Sequence, residues 1–126
     1  MVDPLVQRLL EQAIDSPVKL HLLLLFHENP QLEAGAATIA ERVCRDIWSV
    51  TEALEELAEA RVLLSIPVPS DHLYRYAPAE ELLEPIARLL RGYDDPIERD
   101  KLQRSIRDLA IYAPYRRATP WQMGLA

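Results

Sequence analysis

Apolar residues recur along this chain in blocks whose period changes, and capping residues mark the changes. Leu5, Leu9, Leu10, Ala13 and Ile14 fall at helical spacing behind Asp3-Pro4, an N-cap followed by proline at the first helical position. Ser16-Pro17 repeats that start signal, and a second helix runs to about residue 28, where Asn29-Pro30 closes it. This stretch has almost no polar face: Val18, Leu20 and the run from Leu22 to Phe26 spread round it, which predicts the central, most buried helix. Residues 31–35 read as a loop, 36–43 as a short helix and Cys44-Arg45 as a tight turn. Asp46 then caps a longer helix over 47–60, with Ile47, Val50, Leu54 and Leu57 on one face.

Beyond residue 61 the period shifts from helical to alternating. The stretch 62–68, the turn Pro69-Ser70-Asp71-His72 and the stretch 73–76 predict a β-hairpin, and Pro67 and Pro69 confine its first strand to an edge. Residues 79–91 return to helix through Leu82, Leu83, Ile86, Leu89 and Leu90. Gly92 and Asp94-Asp95-Pro96 stop that helix and start another over 97–113, which Pro114 ends, leaving a tail with Trp121, Met123 and Leu125. In this last helix Leu102, Ile106, Leu109 and Ala113 recur at 4, 3, 4 spacing, a stripe longer than one small core absorbs, so pairing with a second copy is the expected outlet. Opposite it lie Arg99, Lys101, Arg104 and Arg107. The expected organisation is one domain over 1–91 and a C-terminal dimerisation element over 92–126.

The order of elements, and the segment Ile39-Ala40-Glu41-Arg42-Val43-Cys44-Arg45-Asp46-Ile47-Trp48-Ser49-Val50-Thr51-Glu52-Ala53-Leu54-Glu55-Glu56-Leu57, resemble the winged helix-turn-helix of the MarR, ArsR and PadR type of bacterial regulators. The run Tyr74-Arg75-Tyr76-Ala77-Pro78-Ala79-Glu80-Glu81-Leu82-Leu83 looks like that family's exit from the wing into its next helix. The resemblance covers roughly residues 16–90. It implies a mainly α fold with a small β-hairpin wing, in which the helix over 47–60 enters the major groove of double-stranded DNA. Trp48, Ser49, Thr51 and Glu52 would then lie near base edges, with Arg42, Arg45 and Arg75 available to phosphates. For the three arginines a solvated or ion-paired surface role is the competing reading.

Charge complicates this picture. The chain of 126 residues has a formal net charge of −6, and residues 36–78 hold four bases against seven acids. Regulators favour Arg, Lys, Gln, Asn, Ser or Thr at base-contacting positions; Ser49 and Thr51 comply, whereas Glu52, Glu55, Glu56 and Glu59 would meet a polyanion. Trp48 lies on that outward face, and the N-terminal helix or a dimer mate is expected to cover it, the alternative being that it anchors a protein partner.

Two functions therefore stay open: a dimeric DNA-binding transcriptional regulator, and a winged-helix module whose acidic face binds a protein. No phosphate loop, nucleophile elbow or His-Glu-x-x-His motif occurs, so no enzymatic activity is expected. His21, His27 and His72 lack metal-ligand spacing, and Cys44 is the one cysteine, expected to pack as a small hydrophobe. No metal and no cofactor are expected. With no secretory signal, no apolar run near the ~18 residues a membrane span needs and no disulfide pair, a cytoplasmic location without membrane contact is expected.

Overall fold

The computed structural model describes residues 2–69 and 71–125, with side chains through Tyr112. Helix α1 (Pro4–Gln12) starts where Asp3 Oδ1 accepts from the Leu5 N–H at 2.9 Å, and α2 (Pro17–Glu28) starts where Ser16 Oγ accepts from the Lys19 N–H at 3.4 Å. Asn29 ends α2 by returning its own side-chain amide to the Leu25 carbonyl at 2.8 Å. There follow β1 (Glu33–Ala34), α3 (Ala36–Val43), α4 (Ile47–Glu59), β2 (Leu63–Val68), β3 (Asp71–Tyr76), α5 (Glu80–Tyr93) and α6 (Pro96–Leu125).

Helix α2 carries the packing. Leu20, Leu22, Leu23 and Phe26 are buried, and α3, α4, α6 and β3 all pack against it. A single buried cluster runs from Val6, Leu9 and Leu10 of α1 through these residues to Val50, Leu54 and Leu57 of α4 and on to Ile86 and Leu89 of α5. It also contains Leu102 and Ile106, at 3% and 1% exposure, with Leu109 half-buried against it. The stripe expected to be left over for a second copy is therefore largely occupied within the chain, because α6 lies across α1, α2 and α5. Ala113, the fourth member, and the tail residues Trp121, Met123 and Leu125 lie outside the residues whose side chains are described. The basic residues beside the stripe are mostly engaged locally: Lys101 with Glu98, Arg104 with Asp100, and Arg99 stacked on the Tyr93 ring at 5.2 Å.

The hairpin expected from the alternating stretch is present, with Leu63 opposite Tyr76 and Val68 opposite Asp71. Its base is tied to the end of α4: the Ala77 N–H donates to the Val62 carbonyl at 3.2 Å and the Ala79 N–H to the Arg61 carbonyl at 2.9 Å. Four boundaries differ from the sequence reading. Asp71 and His72, expected in the turn, belong to β3, opposite Val68 and Pro67. Residues expected to form a loop contribute β1, which pairs antiparallel with β3 through Glu33–Arg75 and Ala34–Tyr74, making a three-stranded sheet in the order β1-β3-β2. Gly92 lies inside α5 rather than after it, since one flexible residue in a last turn weakens a helix without ending it. Helix α6 continues past Pro114, since an interior proline removes one hydrogen bond and bends a helix without stopping it when the remaining ladder holds. Among the described residues, no helix is long and apolar enough to cross a membrane.

Two charged residues lie inside this core. Lys19 on α2 and Asp15 just before it are each 5% exposed, and the Lys19 ammonium meets Asp15 Oδ1 at 2.8 Å and Glu56 Oε1 of α4 at 2.5 Å. The second contact joins α2 to α4 across the core. Lys19→Ala would leave two carboxylates facing each other with no cation between them, and is expected to cost about 3–5 kcal/mol of unfolding free energy. Urea denaturation measures it, and a loss below about 1 kcal/mol would show that the cluster behaves like a surface pair.

Candidate nucleic-acid interface

Helices α3 and α4 are joined by three residues, Cys44, Arg45 and Asp46, whose backbone sets the angle between them. Cys44, the C-cap of α3, adopts the left-handed conformation (φ 55°, ψ 47°), which for a residue other than glycine costs roughly 1 kcal/mol. That geometry turns its side chain outward, so Cys44 is exposed and its thiol approaches the Glu41 carbonyl at 3.8 Å instead of packing in the core as expected. Asp46 then caps α4: its Oδ2 accepts from the Ser49 N–H at 2.8 Å. This hydrogen bond, the largest of several to its carboxylate, holds the Asp46 pKa below its ordinary value.

The first turn of α4 faces solvent. Ile47, Trp48 and Ser49 are exposed, Thr51 is half-buried and Glu52 is exposed, while Arg42 and Arg45 flank the turn on the same exposed stretch. Trp48 is 82% exposed within the chain. The expectation that the N-terminal helix covers it is not met, because α1 packs on α5 and α6. The acidic face is also narrower than the sequence suggested. Glu56 turns inward to Lys19, which leaves Glu52, Glu55 and Glu59 as the exposed carboxylates of α4.

The cationic members of the expected set are not gathered into one patch. Arg45 leans back toward α2, its Nε–H donating to His21 Nδ1 at 3.4 Å. Arg75 is exposed on the central strand, paired in register with Leu64 and Glu33 near the base of the hairpin, whereas the tip presents Asp71 and His72. Burial raises the Tyr74 phenol above its usual pKa, and the nearby Glu55 and Asp71 carboxylates push it further the same way. Among the described residues, no group of three or more His, Cys, Asp or Glu is arranged to hold a metal ion.

Sequence reasoning missed Lys19, whose position within an apolar helix was the available sign that it needs a buried partner. It also missed that His21, Arg45 and Arg107, from three separate segments, line one cavity.

Two helices joined by a tight turn, the second capped and solvent-facing, followed by a hairpin over a three-stranded sheet, define a winged helix-turn-helix fold with additional C-terminal helices. The chain is similar to a solved winged helix-turn-helix domain from Mycobacterium bovis, described as a homodimeric DNA-binding domain of a possible ArsR-family transcriptional regulator. The two share 18% identity and superpose with a TM-score of 0.53 over 76% of this chain and 90% of that one. No family model and no curated protein matches the sequence.

The depressed pKa of Asp46 carries a pH signature. Because its folded value lies below its unfolded one, the cap contributes above the ordinary carboxylate pKa and is lost as pH falls through the folded value. Asp46→Ala should therefore lower the melting temperature at about pH 7, and the deficit should shrink on acidification to about pH 2. Equal deficits at both pH values would remove the carboxylate's charge from the account.

Proposed function

We propose that this chain is a DNA-binding transcriptional regulator that works as a dimer, with α4 as its recognition helix. The observation that carries the reading is the solvent-facing first turn of α4: Trp48 and Ser49, with Arg42 and Arg45 beside them, on a helix capped and packed as in a helix-turn-helix. The structural similarity to a domain described as DNA-binding and homodimeric supports it.

The charge distribution sets how DNA would be held. Glu55 and Glu59 keep the C-terminal half of α4 away from phosphates, so contact falls to Trp48, Ser49, Thr51 and Glu52, the last as an acceptor for a cytosine amino group. Arg42, Arg45 and Arg75 supply the phosphate contacts. So few cations predict weak nonspecific affinity and a shallow salt dependence, with a slope of about −0.9 per phosphate neutralised. The dimer would use surface that α6 does not bury internally, such as Ile111 and Tyr112, both exposed.

Two measurements test the reading. Fluorescence anisotropy on a labelled duplex should show Glu52→Gln with Glu55→Gln tightening nonspecific binding by roughly three- to tenfold, and Arg75→Ala weakening it by a similar factor. No duplex binding at low salt, or no response to either change, would overturn it and favour the second reading, in which the exposed Trp48 among carboxylates seats on a basic protein surface. Light scattering at micromolar concentration should give twice the 14.4 kDa chain mass, and a species at 14.4 kDa alone would remove the dimer.

A further inference from the structure

Helices α2 and α4 meet at one buried charge. Lys19 is 5% exposed, and its ammonium lies between Asp15 Oδ1 at 2.8 Å and Glu56 Oε1 at 2.5 Å. Asp15 is a local neighbour at i−4, so that pair neutralises Lys19 without reference to α4. Glu56 belongs to α4, whose fully buried residues, Val50, Ala53, Leu54 and Leu57, are all apolar. Apolar contact is non-directional and tolerates a small rotation of one helix on another, whereas a charge-assisted hydrogen bond held at both ends does not. On a helix about 10–12 Å across, a rotation of about 30° carries a side-chain atom roughly 3 Å, more than a hydrogen bond allows. The same rotation would redirect Trp48, which lies eight positions upstream on the same helix, roughly 12 Å along its axis.

We propose that Lys19 and Glu56 are positioning residues: their contact sets the rotation of α4 about its own axis, and with it the direction in which Trp48, Ser49 and Thr51 face, while adding little to overall stability. Desolvating a buried ion pair consumes most of the attraction it gains, so an apolar side chain of similar volume stabilises a core about as well. What Glu56 supplies that a methionine would not is direction. Because Lys19 keeps Asp15 as a counter-charge when Glu56 is changed, direction and stability can be separated by substitution. The positioning role stands on the buried contact alone. Its consequence for duplex binding rests on the DNA-binding reading above.

Residual dipolar couplings of the backbone amides, measured on the intact chain without DNA, report how α4 is oriented on α2, and urea denaturation reports stability. Glu56→Met removes the contact between the helices and leaves Lys19 paired with Asp15. Its urea midpoint should stay within about 0.5 M of the parent. Its α4 couplings should no longer fit the parent orientation, while those within α2 still do. Glu56→Gln keeps an acceptor oxygen for the ammonium and should keep the parent couplings. Glu59→Gln, on the exposed side of the same helix, should keep them too. Parent couplings in Glu56→Met, or an altered orientation in either glutamine variant, would overturn the proposal. So would a Glu56→Met chain that fails to fold or loses more than about 1 M in midpoint, because the contact would then hold the fold rather than its setting.

Duplex anisotropy tests the consequence. Glu56→Met and Glu59→Gln each remove one negative charge from α4, so electrostatics alone would tighten nonspecific binding in both. Glu59→Gln should tighten it by roughly twofold. Glu56→Met should instead weaken it by at least about threefold, because the first turn is misdirected. If Glu56→Met alters the α4 couplings as described and no duplex is bound by the parent or any variant, the DNA-binding reading fails and the positioning role stands. If both substitutions tighten binding alike, the rotation of α4 does not matter to the duplex and that consequence fails alone.

Discussion

Helix α2 is apolar over most of its circumference, with His21, His27 and Glu28 as its exposed polar side chains. Burying the apolar remainder requires cover that the chain supplies from elements far apart in sequence: α3, α4, β3 and α6. The hydrophobic gain from enclosing Leu22, Leu23 and Phe26 is of the order of 1.5–3 kcal/mol for each side chain, larger than any single polar contact at the surface. The same enclosure traps Lys19, and a trapped ammonium must be met by carboxylates. Asp15 lies next to it in the chain, but Glu56 comes from α4. The requirement to neutralise one buried charge thus also sets how α4 sits against α2.

With its inner face committed to Val50, Leu54, Leu57 and Glu56, α4 has only its first turn and one acidic edge to present outward. That division separates two chemistries on one helix. The N-terminal turn presents an indole, a hydroxyl and the flanking arginines to solvent. Glu55 and Glu59 further along repel an anion, and a helix presented to a duplex in this way would have to approach by its end rather than along its length.

Legibility in the sequence followed locality. The caps at Asp3, Ser16 and Asp46 and the proline-marked hairpin were readable because each depends on residues within a turn of one another. Strand β1 was not, since two residues acquire strand geometry only by pairing with β3, some forty positions later. Glu56 sits at the border between the buried and exposed arcs of α4, where ~100° per residue cannot decide the side; Lys19, in another helix, decides it. Cys44 occupies a left-handed position that glycine or asparagine more often fills, so its side-chain direction was hidden. Leu102 and Ile106 were correctly read as needing cover. Which surface provides it is a tertiary fact, as is the convergence of Arg45 and Arg107 on one cavity.

The hairpin meets the rest of the molecule through a closed collar, in which the carbonyls of Arg61 and Val62 on the way out receive the amides of Ala79 and Ala77 on the way back. Beyond that collar Leu63 and Tyr74 are still buried and β3 still pairs with β1, so only the outer end of the hairpin, at the Val68–Asp71 pair, can change length without disturbing what lies beneath. Extra residues inserted at the tip would lengthen the arm without disturbing the core's geometry, and removing them would shorten it equally freely. Lineages carrying this scaffold can therefore vary how far the arm reaches while the helices keep a single unaltered packing.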